Sequence, residues 1–119
     1  MGKEKDFENK VKSFLMDNGC WVLKTWSNGI QREGVPDLLV SCNGIFIGVE
    51  LKAANGHPSD LQKWNIHEIR KAGGIAIVLY PDQFFRFKCM ILELLEDFAA
   101  HIWWQENQKI FDTWKGEKT

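Results

Sequence analysis

The sequence predicts an α/β fold: a mixed central β-sheet flanked by helices, in the order helix, three strands, helix, strand, with a helical C-terminal tail. Three observations carry this. The chain opens with an apolar stripe at helical spacing. Asn43-Gly44 then separates two apolar runs of strand length. Finally, a capped helical pattern ends at Gly73-Gly74 and gives way to the unbroken apolar run Ile75-Ala76-Ile77-Val78-Leu79-Tyr80. A chain of 119 residues with 45% apolar content can build one modest core. The expectation is one domain over residues 1–119, with a core of about 4–80 and a tail of about 82–115.

The first helix spans residues 4–18, where Phe7, Val11, Phe14 and Leu15 share one side and Asn18-Gly19 supplies the stop. Residues 20–26 read as a strand that runs into a polar, exposed loop from Asn28 to Gly34. Pro36 suits the first position of the next strand, because it has no N–H to give to a ladder. That strand ends near Cys42. The Asn43-Gly44 hairpin returns the chain through residues 45–52, since these two residue types tolerate the left-handed backbone that a two-residue turn requires. Ser59 is a good N-cap for a helix over 60–72, and residues 75–80 suit a buried strand. Pro81-Asp82 restarts a helical tail, read as one stretch over 84–100 and a tryptophan-rich segment over 102–114.

A formal net charge of -1 gives no overall basicity to advertise a nucleic-acid partner, although a near-neutral total can conceal a local basic surface. The three cysteines, Cys20, Cys42 and Cys89, form no CxxC pair. They read as reduced, partly buried thiols of a cytoplasmic protein. No basic-then-apolar leader is read at the start, and no run reaches the roughly 20 apolar residues of a membrane span.

The chemistry concentrates on the two strands of the hairpin. Side chains alternate across a strand, so Glu50 and Lys52 project from one face while Val49 and Leu51 point to the other. Counting outward from the turn pairs Cys42 with Ile45, and the same count sets Asp37 opposite Glu50. Facing carboxylates destabilise a sheet unless something neutralises them, and a hard divalent cation does so. Magnesium accepts one or two carboxylates and keeps several waters. Lys52 beside it can orient an attacking water or offset charge on a phosphate. The bland alternative is a solvated hairpin end where Lys52 pairs with one acid.

Glu8 lies on the margin of the first helix's apolar stripe, either within reach of the acidic end of the sheet or as plain solvated surface. Gln62 forms a capping box with Ser59, which alone would explain it. It also falls on the inward side of its helix, where the amide needs a partner, and a metal site or a substrate phosphate would serve.

Gly34-Val35-Pro36-Asp37, Glu50-Leu51-Lys52 and Gln62 together resemble the PD-(D/E)XK nuclease superfamily, whose core is restriction-endonuclease-like. More closely, they resemble the small stand-alone VRR-NUC domains of phages and bacteria, which are related to archaeal Holliday-junction resolvases. The likeness covers residues 4 to about 80. It implies a Mg2+- or Mn2+-dependent endodeoxyribonuclease with Glu8, Asp37, Glu50, Lys52 and Gln62 as its catalytic set. By the same resemblance Asp37, Glu50 and the backbone carbonyl of Leu51 hold the metal, and Glu8 does so through a water. It further implies a homodimer acting on Holliday-junction or other branched DNA. Restriction-like or flap cleavage, or a DNA-binding module without activity, are the alternatives.

A nuclease must also hold phosphates. Lys24, Ser27, Asn28, Gln31 and Arg32 offer cationic and neutral donors just before Pro36-Asp37, and Lys63, Arg70 and Lys71 add cations on the later helix. Such contacts position DNA without reading its sequence. An ordinary charged surface is the competing reading for the helix residues. His57 reads as a loop residue near substrate, because no second histidine stands at a zinc-ligand spacing. The tail residues Phe98, Trp103, Trp104, Phe111 and Trp114 need cover, from the protein's own core or from a subunit interface. Nearby Glu93, Glu96, Asp97 and Glu106 argue against stacking on bases.

Overall fold

The computed structural model describes residues 2–26 and 33–114. Helix α1 (Lys3–Asp17) buries Phe7, Val11 and Leu15, which recur at four-residue spacing. Burying each such side chain contributes about 1.5–3 kcal/mol. The helix stops at Asn18, whose side-chain amide donates to the Phe14 carbonyl at 2.8 Å. Strands β1 (Trp21–Lys24), β2 (Leu38–Cys42) and β3 (Ile45–Leu51) form an antiparallel meander. The β2–β3 turn has Asn43 at φ 49° and Gly44 at φ 86°, the two left-handed residues that a tight hairpin needs. Register follows from that turn: Cys42 pairs with Ile45, and the ladder runs outward to Leu38 opposite Val49.

Helix α2 (Asp60–Lys71) crosses over to β4 (Ile75–Leu79), which runs parallel to β3. The sheet order is β1-β2-β3-β4. This is the mixed α/β arrangement the sequence predicts, and it is a restriction-endonuclease-like core. Leu38, Val40, Ile47 and Val49 pack on one face with α1 and with Phe87, Met90 and Ile91 of α3 (Phe84–Glu96). On the other face Ile66 of α2 lies in a smaller cluster with Ala76, Val78 and Tyr80. No helix among the described residues is long and apolar enough to cross a membrane.

Two expected elements differ in extent. Strand β1 stops at Lys24 rather than continuing to residue 26, because Thr25 turns to hold the neighbouring bend. Its N–H donates to the Asp37 carbonyl at 2.8 Å, and its hydroxyl donates to the Pro36 carbonyl at 2.9 Å. The tail is divided differently too. A 3-10 turn (Pro81–Gln83) leads into α3, and α4 (Ala99–Asn107) ends in a second 3-10 turn (Gln108–Phe111). The break falls at Asp97, which is extended, with its carboxylate accepting the Ala99 N–H at 2.9 Å. Aspartate favours such local capping over continued helix.

The aromatic tail finds cover within the chain for some of its residues only. Trp104 and Phe111 join the main core, while Phe98 and Trp103 stay exposed. Gln108 accepts the outward N–H of Ala76 at 2.7 Å, so the tail blunts the open edge of β4. Arg70 completes the attachment with two bonds to the Asp112 carboxylate, at 2.9 and 2.7 Å, and a third to the Ala76 carbonyl. Its donors are committed within the fold, which favours a structural reading of Arg70 over the DNA contact that the sequence left open.

Candidate active site

The hairpin register that sets Leu38 against Val49 places Asp37 across from Glu50 one step further on. Asp37 lies just outside β2 and is half-buried. Its Oδ2 accepts the Leu51 N–H at 2.9 Å, which fixes the carboxylate at the end of β3. Glu50 is only 3% exposed. Its Oε2 receives the Gln62 amide at 2.8 Å and lies 3.3 Å from the Lys52 ammonium. Its Oε1 is buried with no hydrogen-bond partner among the described residues. Burial drives the Glu50 pKa up, the Asp37 charge adds to it, and Lys52 offsets only part, leaving it at about 7 against 4.5 for a free glutamate.

Gln62 forms the expected capping box, and its inward amide finds its partner in Glu50. Its Oε1 accepts the Ser59 N–H at 2.8 Å and its N–H donates toward Ser59 Oγ, while its amide nitrogen reaches Glu50. One residue therefore caps α2 and ties that helix to the acid.

Glu8 is also buried, at 8% exposure. Its Oε1 is 3.1 Å from Lys24, and its Oε2 is 3.1 Å from Lys12 and 3.3 Å from Lys5. Burial by itself would raise its pKa, but hydrogen bonds from Lys24, Lys12 and Lys5 outweigh that and hold it at about 2. Lys24 also lies 4.0 Å from Asp37 Oδ1, so Glu8 meets Asp37 through a lysine.

An open cleft of about 790 Å³ runs along these groups and is lined by Glu8, Lys24, Asp37, Leu51 and Lys52, with Lys3, Lys5 and Lys10 of α1. Glu50 and Gln62 lie behind that wall. The bend leading into Asp37 is seated on α2. Gly34 has φ +80°, and a Cβ there would fall 2.7 Å from Leu61 Cγ, so only glycine fits. Asn65 donates to the Glu33 carbonyl at 3.3 Å and clamps the same bend. Thr25 and Asn65 escaped the sequence reading; the available signal was a polar residue at a strand end and another on the inward side of a helix.

The remaining expected contacts are more scattered. Ser27, Asn28, Gln31 and Arg32 lie outside the described residues. His57 is exposed in the loop before α2. Lys63 lies 3.5 Å from Asp60 and 5.8 Å from the centre of the Trp114 ring, away from the cleft lining. Lys71 lies 3.2 Å from Glu68.

Among the described residues, no group of three or more His, Cys, Asp or Glu side chains forms a ready metal cage. The donors that are present fit magnesium or manganese better than zinc. They are hard oxygens: Asp37 lines the cleft, Glu50 stands opposite it behind the wall, and one oxygen of Glu50 is buried without a hydrogen-bond partner among the described residues.

Mixed sheet, flanking helices and an aspartate facing a Glu-x-Lys strand end define a nuclease core of the PD-(D/E)XK kind. The family model described as archaeal Holliday junction resolvase (hjc) matches residues 2–80. The chain belongs to that family and is a resolvase-like endonuclease. No curated protein matches it.

Proposed function

We propose that this protein is a Mg2+- or Mn2+-dependent endodeoxyribonuclease that cuts branched DNA, with the four-way junction as its principal substrate. The observation that carries the reading is the buried, unpartnered oxygen of Glu50 set across from Asp37 beside an open cleft. The family supplies the substrate class. Asp37, Glu50 and the Leu51 carbonyl hold the metal, and Glu8 acts through a water. A divalent ion held there would supply Lewis-acid polarisation of the phosphate and a more acidic water.

The chain's own side chains do the rest. Lys52 stands beside Glu50, where its ammonium orients the water and offsets charge on the phosphate. Gln62 fixes the other Glu50 oxygen, so the carboxylate cannot rotate away. Lysines of α1 along the cleft, with Lys24, Ser27, Asn28, Gln31, Arg32 and His57, supply phosphate contacts. The finer likeness to stand-alone VRR-NUC domains, a phage origin and a cytoplasmic site of action belong to the same reading.

The homodimer has support of its own. Trp21 and Ser41 are paired across β1 and β2, and Ser41 with Phe46 across β2 and β3, so Trp21 and Phe46 share the sheet face on α2's side. Trp21 is 61% exposed, and Leu23, Phe46, Leu61 and Trp64 are also exposed. An uncharged face of that kind suits a second copy better than DNA. Replacing Trp21 and Leu23 by aspartate is expected to leave a folded monomer in sedimentation.

Incubation of labelled four-way, flap and linear duplex DNA with Mg2+ or Mn2+ tests the reading. The wild type is expected to cut the junction fastest and Asp37→Ala to cut none. A folded wild type that cuts no substrate with either ion sinks the enzyme; preference for flap or linear duplex corrects the substrate.

A further inference from the structure

Lys24 is the last residue of β1, and its ammonium lies between carboxylates carried by two other parts of the chain. It is 3.1 Å from Glu8 Oε1 on α1 and 4.0 Å from Asp37 Oδ1 beside β2. The Trp26 ring centre lies 6.0 Å from the same nitrogen. The side chain is 24% exposed. A lysine meant only to meet DNA would extend its charge into solvent. This one is already engaged by two acids.

Neutralising Glu8 does not account for the placement. Lys12 and Lys5 already approach its other oxygen at 3.1 and 3.3 Å. What Lys24 adds is the link from Glu8 to Asp37. In the absence of a divalent ion, it is the cation that joins the first helix to the acid of the hairpin.

Building on the metal reading above, we propose that Lys24 is an internal counter-cation that competes with the divalent ion for Glu8 and Asp37. It is a positioning residue. It keeps two acids from separate elements close together while no metal is bound, and it yields to an ion of twice its charge. Its tether then leaves the displaced ammonium at the cleft wall, where a DNA phosphate can take it up. The lysine thus stabilises the metal-free site and weakens metal binding at once.

Calorimetric titration with Mg2+ and with Mn2+, without DNA, tests this on the wild type, Lys24→Gln and Lys24→Arg. Lys24→Gln is expected to bind either ion at least about tenfold more tightly, because a competing positive charge is gone. Lys24→Arg is expected to stay near the wild type. A folded Lys24→Gln with unchanged or weaker affinity overturns the inference. Nitrogen NMR of the lysine ammonium groups in the wild type covers the case in which the variant does not fold. The Lys24 signal is expected to shift on saturation with Mg2+, and a signal that stays put at saturation overturns the inference. Wild-type protein that binds neither ion overturns the metal reading and this inference with it. Wild-type binding with no change in Lys24→Gln overturns this inference alone.

Discussion

Glu8 and Glu50 are both buried glutamates joined to Asp37, yet their surroundings drive them in opposite directions. Glu8 is buried by α1 packing, which should raise its pKa, but Lys24, Lys12 and Lys5 reverse that and hold it at about 2. Glu50 is buried more deeply, feels the Asp37 charge, and has Lys52 as its compensating cation; it stands at about 7. The first acid has its counter-charge built into the fold. The second keeps an oxygen that has no hydrogen-bond partner among the described residues. Within one site, then, α1 and β1 supply a self-neutralised anchor, and β3 supplies an acid that calls for a cation from outside.

The largest expected effects lie in catalysis. Glu50→Ala or Asp37→Ala is expected to slow single-turnover junction cleavage at least about a thousandfold, the scale of losing a principal electrostatic group at the reacting phosphate. Glu8→Ala is expected to cost about 10- to 100-fold, as for a residue acting one step removed from the metal. Equal losses would break the contrast between the two acids.

Stability of the metal-free protein separates them next, and with opposite signs. The Glu50 pKa is raised above 4.5, so its contribution to stability is present below that value and is lost as pH rises through about 7. Glu50→Gln is therefore expected to stabilise the metal-free protein by up to about 3 kcal/mol at about pH 8. The Glu8 pKa is lowered, so its contribution is present above 4.5 and is lost as pH falls through about 2. Discounted for solvent screening at the cleft, Glu8→Gln should cost about 1 kcal/mol at neutral pH and almost nothing in strong acid. Urea unfolding across the pH range measures both. A Glu50→Gln protein that is less stable than wild type would contradict the account.

Smaller effects sharpen the picture around Glu50. Gln62→Ala removes the capping box and the amide held 2.8 Å from Glu50. It is expected to cost about 1–2 kcal/mol in unfolding measurements. It should also slow cleavage about 10- to 100-fold, whereas a cap residue without a role at the site would affect stability alone. Gly34→Ala forces a left-handed backbone and a crowded Cβ against Leu61. A loss of about 1–2 kcal/mol in thermal or urea unfolding is expected.

The hairpin was the most legible part of the sequence because local chemistry governs it. Asn43-Gly44 dictates the turn, the turn dictates the register, and the register places Asp37 and Glu50 on opposite strands. Strand alternation put Lys52 beside Glu50 in the same way. Ser59 and Gln62 were readable as a capping box for a similar reason, since they stand only three positions apart in the chain. What could not be read was long-range pairing. Nothing near Lys24 in the chain announces that it meets Glu8 on α1 as well as Asp37. Arg70 looked free for DNA because its partner Asp112 lies in a tail whose docking no local pattern reveals. The tail's helix break failed for a subtler reason: at Asp97 the local cap competes with an apolar periodicity that would otherwise continue.

The most direct test of the contrast is a carboxyl-carbon NMR titration of the glutamates, first without metal and then with saturating Mg2+. Glu50 is expected to titrate near 7 in the metal-free protein and to fall well below 4.5 once Mg2+ is bound, while Glu8 stays near 2 without metal. A Glu50 that titrates near 4.5 without metal, or near 7 whether or not Mg2+ is present, would contradict it.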